Sequence, residues 1–87
     1  MRITPSDSVL MRKMGSEAVV LNMKTETYYM LNTTGIRMWE VLTTASSVDE
    51  ALATLTSEYA IPDEVLSNDM NEFIENLQSA KLIEINP

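Results

Sequence analysis

The chain has 87 residues, 45% of them apolar, with two glycines, no cysteine, no histidine and a formal charge of −7. That length predicts a single domain over residues 1–87, burying roughly 60% of its unfolded surface, and the apolar share separates it from disordered chains. The lack of cysteine excludes disulfides and thiolate metal sites, and no apolar run reaches the ~18 residues of a membrane span or forms a signal segment, so a cytoplasmic location is expected.

Val9–Met14 and Glu17–Met23 are apolar-rich runs joined at Gly15-Ser16, a hairpin signal. A polar turn at Lys24-Thr25-Glu26 leads into Thr27–Leu31, a third run with two adjacent tyrosines. The three predict an antiparallel meander over residues 9–31, a sheet too small to close on itself. It therefore needs a helical layer and retains an edge. Asn32 is placed to cap a helix over 33–44, where Ile36, Trp39 and Leu42 recur every three residues. Ser47 and Glu50 fit a capping box opening a helix over 48–59, with Val48, Leu52, Leu55 and Tyr59 along one face. Pro62, Asp63 and Glu64 mark the start of a helix over 63–80, with Leu66, Met70, Phe73 and Leu77 as its apolar stripe. Residues 82–85 either add a short strand or finish the chain. Strands followed by helices place the chain in the α+β class.

A shared core of Trp39, Leu42, Leu52, Leu55, Phe73 and Leu77 is expected, joined by Met38 and Met70. Strand alternation then turns Tyr29 and Leu31 toward the helices and leaves Tyr28 and Met30 facing outward. An exposed Tyr-Met pair on an edge strand points to a partner.

Catalytic chemistry finds little material. Without His or Cys, the usual zinc ligands and the commonest general base are absent, and the serines lack an activating imidazole. The pairs Asp49-Glu50 and Asp63-Glu64 open helices, where carboxylates complement the dipole. No phosphate-binding glycine loop exists. The expectation is a protein that is not an enzyme and uses neither metal nor organic cofactor. Charge is also unevenly placed: residues 40–87 carry ten acids against Lys81 alone. Residues 63–80 have five acids and no Lys or Arg, which suits neither a phosphate backbone nor a major groove. No nucleic-acid or membrane partner is expected. A winged-helix transcription regulator, compatible with three helices and a small sheet, is disfavoured on that ground, and a general protein–protein adaptor is the other alternative.

The segment "VVLNMKTETYYMLNTTGIRMWEVL" resembles the signature of the PqqD-like family, the recognition elements for precursors of ribosomally made, modified peptides. "SSVDEALATLTSEYAIP" is similar to the family's second helix, and "VLSNDMNEFIENLQSAKLIEI" to its third helix and closing residues. The resemblance covers roughly residues 9–85. Two loops depart from it: Glu26 stands where a glycine is common, and "TTASS" lacks the usual glycine before the second helix.

The resemblance implies a winged-helix-like fold that binds the leader segment of a precursor peptide as an added strand. The strand would lie in a groove between the third strand and the third helix. It also implies a separate maturation enzyme as partner, such as a leader peptidase in lasso-peptide pathways or a radical S-adenosylmethionine enzyme, as in pyrroloquinoline quinone (PQQ) synthesis. On the third helix, Val65, Asp69, Glu72 and Asn76 flank the apolar stripe and are placed to form a groove wall; the row Asn71, Ile74 and Gln78 flanks it on the other side. The candidate peptide-binding residues are Tyr28, Tyr29, Met30 and Leu31 from the strand, with Asp69, Glu72, Phe73 and Asn76 from the helix. Acids on that wall would suit a leader with apolar anchors and a lysine or arginine.

Overall fold

In the computed structural model, which describes all 87 residues, the elements run β1 (Arg2–Pro5), β2 (Val9–Met14), β3 (Glu17–Asn22), β4 (Thr27–Leu31), α1 (Thr33–Thr44), α2 (Val48–Glu58), α3 (Asp63–Ser79) and β5 (Ile83–Asn86). Gly15 closes the β2–β3 hairpin at φ 65°, a left-handed conformation that costs glycine little. The register then pairs Val9 with Asn22 and Met14 with Glu17, and on the next ladder Ala18 with Leu31 and Asn22 with Thr27. The expected meander is therefore present, in spatial order β2-β3-β4. β4 is an edge.

Because side chains alternate across the pleat, Ala18, Val20, Asn22 and Leu31 turn inward and are buried. The opposite face, with Val19, Leu21, Tyr28 and Met30, is left uncovered by the helices, and Tyr28 and Met30 are exposed as expected. A second sheet, β1 with β5, was not foreseen at its N-terminal strand. It pairs Arg2 with Asn86 and Pro5 with Ile83, and buries Ile3 and Ile83. The choice left open for residues 82–85 thus resolves to a strand.

The helices cover the inner face. Asn32 caps α1 by accepting the Gly35 amide at 2.8 Å, and Met38, Trp39, Val41 and Leu42 are buried. Ser47 caps α2 by accepting the Glu50 amide at 3.0 Å. The capping box is only half made: the Glu50 carboxylate accepts the Ser46 hydroxyl instead of reaching the Ser47 amide. On α2 the expected stripe is rotated, since Ala51 and Leu55 are buried while Val48, Leu52 and Tyr59 are half-buried against the core. The small Ala51 is fully buried, so the buried face is centred on Ala51 and Leu55. On α3 the stripe Leu66, Met70, Phe73 and Leu77 is buried as expected, and Ile74 joins it. α1 packs against β1, β3, β4 and α2, and α3 against α2 and β5. No helix is long and apolar enough to cross a membrane.

Candidate functional site

The site begins with a fastening at one end of β4. Just before the four-residue turn Met23–Glu26, Asn22 at the end of β3 sits 4% exposed and uses both ends of its side-chain amide. Its Oδ1 accepts the Lys24 and Thr25 amides at 2.9 and 3.2 Å, and its Nδ2 donates to the Lys81 carbonyl at 2.7 Å. The Thr27 hydroxyl donates to the Ala80 carbonyl alongside. Lys81 itself ends α3 with φ 60°: its amide reaches the Gln78 carbonyl and that of Leu82 the Leu77 carbonyl, the paired bonds of a Schellman stop. The C-terminus of α3 is thereby tied to the start of β4.

From that tie the two elements run antiparallel and separate. Tyr29 meets Phe73 edge-to-face, with ring centroids 6.1 Å apart at 67°, and Asn76 Nδ2 donates to the Tyr29 hydroxyl at 3.4 Å. Beyond this contact a cleft of about 450 Å³ opens between β4 and α3. Leu31 and Met38 form its apolar floor and are both nearly inaccessible to solvent. Gly35 also lines it, and here a side chain would be tight: a Cβ would lie 3.2 Å from Asn32 Oδ1 and 3.3 Å from Leu31 Cδ2, so those side chains would have to give by a few tenths of an ångström. The glycine lets the N-cap and the last strand residue close together at the cleft floor.

Seven of the eight candidate residues meet here: Tyr29, Met30 and Leu31 on the strand side, and Asp69, Glu72, Phe73 and Asn76 on the helix side. Tyr28 does not line the cleft. It is 64% exposed on the outer face of the sheet, opposite Leu21 and nearer the tied end of β4. On α3, Asp69, Glu72 and Asn76 line the cleft, whereas Ile74 is buried in the core and neither Asn71 nor Gln78 lines it. Residues outside the sequence-based set also line it, among them Glu17, Asn32, Thr34 and Met38. Glu17 was detectable in principle, since the hairpin register places it just beyond the end of β4, beside Asn32.

Chemically the cleft offers one unpaired backbone edge, an aromatic and apolar floor, and carboxylates from Glu17, Asp69 and Glu72. The chain's two ion pairs, Lys13 with Glu40 and Arg37 with Glu58, lie elsewhere. No group of three or more His, Cys, Asp or Glu side chains is arranged to hold a metal ion. An extended peptide is the ligand such a cleft can bind most fully, since main-chain pairing satisfies the edge and side chains fill the floor.

The sequence matches, over residues 17–83, the family described as Coenzyme PQQ synthesis protein D (PqqD). Among solved structures, TbiB1 in complex with the TbiA(beta) leader peptide is 26% identical, with TM-score 0.84 and coverage of 97% of this chain and 98% of that one. A lasso peptide synthetase B1 complexed with the leader peptide has the same TM-score of 0.84 at 18% identity, covering 98% of this chain and 100% of that one. At the lower identity the likeness is one of fold. No curated protein sequence matches.

Proposed function

The chain belongs to the PqqD family, and we propose that it is a non-catalytic module that captures the leader segment of a precursor peptide by strand addition. The observation that carries this reading is the free edge of β4 facing α3 across an apolar cleft, in a fold that superposes on TbiB1, a protein solved with a leader peptide. Backbone pairing supplies affinity that tolerates sequence variation, and the floor of Leu31, Met38 and Phe73 selects for apolar anchors. The captured precursor is then presented to a separate enzyme, a leader peptidase or a radical S-adenosylmethionine enzyme, whose substrate it concentrates. The module acts in the cytoplasm, as one folded unit spanning residues 1–87.

The test is binding of the leader encoded with this gene, followed by amide chemical shifts. Shifts should concentrate on Thr27–Leu31 and on α3. N-methylating alternate leader amides should remove binding, because each methyl deletes a ladder donor. A leader that binds without moving any β4 amide overturns strand addition, and a precursor whose mass changes on incubation with this protein alone overturns the non-catalytic reading.

A further inference from the structure

Three carboxylates line the cleft, and none is compensated. Asp69 and Glu72 stand one turn apart on the exposed side of α3, on the same helix face, and Glu17 lies across from them beyond the end of β4. No Lys or Arg lines the cleft, and neither ion pair of the chain involves these three carboxylates. Tyr29, Phe73 and Asn76, where strand and helix touch, add aromatic and neutral surface. A peptide strand laid against β4 therefore meets apolar surface from Tyr29, Leu31 and Phe73 and a mouth whose only charges are negative. An acidic peptide would bring like charge into this mouth, whereas a lysine or arginine would meet opposite charge without crossing any cation of the protein.

We infer that the groove is specific for an extended peptide carrying a Lys or Arg opposite Asp69 and Glu72, with apolar anchors against Tyr29, Leu31 and Phe73. This rests on the leader-binding reading and names the class of leader the groove accepts. The cation fixes register: main-chain pairing alone tolerates two-residue slips along β4, and one charge placed at the mouth penalises them. Its long aliphatic stem also covers apolar surface near Leu31 while the head reaches the carboxylates.

The experiment selects peptides from a displayed library of random 14-residue sequences on the full chain, then re-synthesises the winners with each Lys or Arg changed to Glu. Affinity is read by fluorescence anisotropy against three proteins: the native chain, Asp69→Lys/Glu72→Lys, and Glu75→Lys/Glu84→Lys. The last pair changes net charge equally at exposed positions off the cleft. The cation-to-Glu change should weaken binding by about fivefold or more to the native chain and to the off-cleft variant. The order should invert for the cleft variant, and the differences should shrink as salt rises from ~0.05 to ~0.5 M. Equal weakening in all three proteins, or none, overturns the inference while leaving the groove reading standing. If the selected peptides leave the β4 amides unshifted, the groove reading falls and the inference falls with it.

Discussion

Asn22 is the side chain through which a turn, a helix end and the groove depend on one another, and replacing it by alanine tests that dependence. The two bonds that Oδ1 accepts from the Lys24 and Thr25 amides are partly buried, but those amides belong to an exposed turn, where water can take over as acceptor at a cost of about 0.5–1 kcal/mol together. The bond from Nδ2 to the Lys81 carbonyl is partly buried, and leaving that carbonyl without its donor costs about 1–3 kcal/mol. Asn22→Ala should therefore lose about 1.5–4 kcal/mol from a domain whose total stability is of order 4–13 kcal/mol, lowering Tm by about 6–30 °C. Urea unfolding followed by the fluorescence of Trp39, the chain's one tryptophan, measures it. Asn22→Asp is the sharper probe. It keeps the turn acceptors but turns an oxygen toward the Lys81 carbonyl, so its deficit at neutral pH should shrink on acidification, when the introduced carboxyl regains a proton to donate. A midpoint for Asn22→Ala within about 0.5 kcal/mol of the native chain would refute the latch. So would an Asn22→Asp deficit that does not vary with pH.

Glu26 and Lys81 hold left-handed conformations at φ 61° and 60°, which favour glycine. Glu26→Gly should raise stability by up to about 1 kcal/mol in the same urea assay, with no change expected from Glu26→Ala. Leu55 is fully buried, and Leu55→Ala should cost about 2–5 kcal/mol; Phe73→Ala should cost about 3–5 kcal/mol and also remove the Tyr29 contact, so it weakens leader binding as well. The hydrogen bonds from Arg37 hold the Glu58 carboxyl below its ordinary value of 4.5. A depressed folded-state pKa contributes stability above the unfolded value and loses it as pH falls through the folded one. The Tm difference between the native chain and Arg37→Met should thus be present at pH 7 and disappear in acid, and a difference independent of pH would contradict the pairing.

The sequence carried the fold wherever its signals were local. Asn32 and Ser47 announce the helix starts, the alternation in Thr27–Leu31 gives the inward and outward faces, and the α3 stripe is buried as its spacing predicts. β1 was invisible because its partner comes from the opposite end of the chain and only Ile3 in it is buried. On α2, reading by large side chains missed Ala51, since a small buried residue leaves little hydrophobic mark. At the cleft, spacing nominated one flank of α3 without excluding the other; Asp69, Glu72 and Asn76 line the cleft while Ile74 is buried, and that depends on how α3 rolls against the core. The glycine of "LNTTG" was legible only as part of a resemblance until the structure showed the 3.2 Å approach that a Cβ would make. Glu26 shows the converse, a departure from the family's usual glycine accommodated in a left-handed turn.

A free strand edge is a hazard as well as a binding site, because any extended segment, including another copy's β4, can pair with it. This edge has neither a proline nor a lysine along Thr27–Leu31, the usual guards, and its outer-face side chains Tyr28 and Met30 are exposed and apolar in character. The protection comes from its surroundings. The edge is only five residues long, its Thr27 end is tied to α3, and its Leu31 end is approached past Asp69, Glu72 and Glu17. Two copies pairing edge to edge would bring both acidic helices and two net charges of −7 together. A basic peptide meets the opposite field at the same mouth. The carboxylates that would select a leader's cation therefore also disfavour self-pairing, and one arrangement of charge keeps the edge open for peptide while discouraging its own kind.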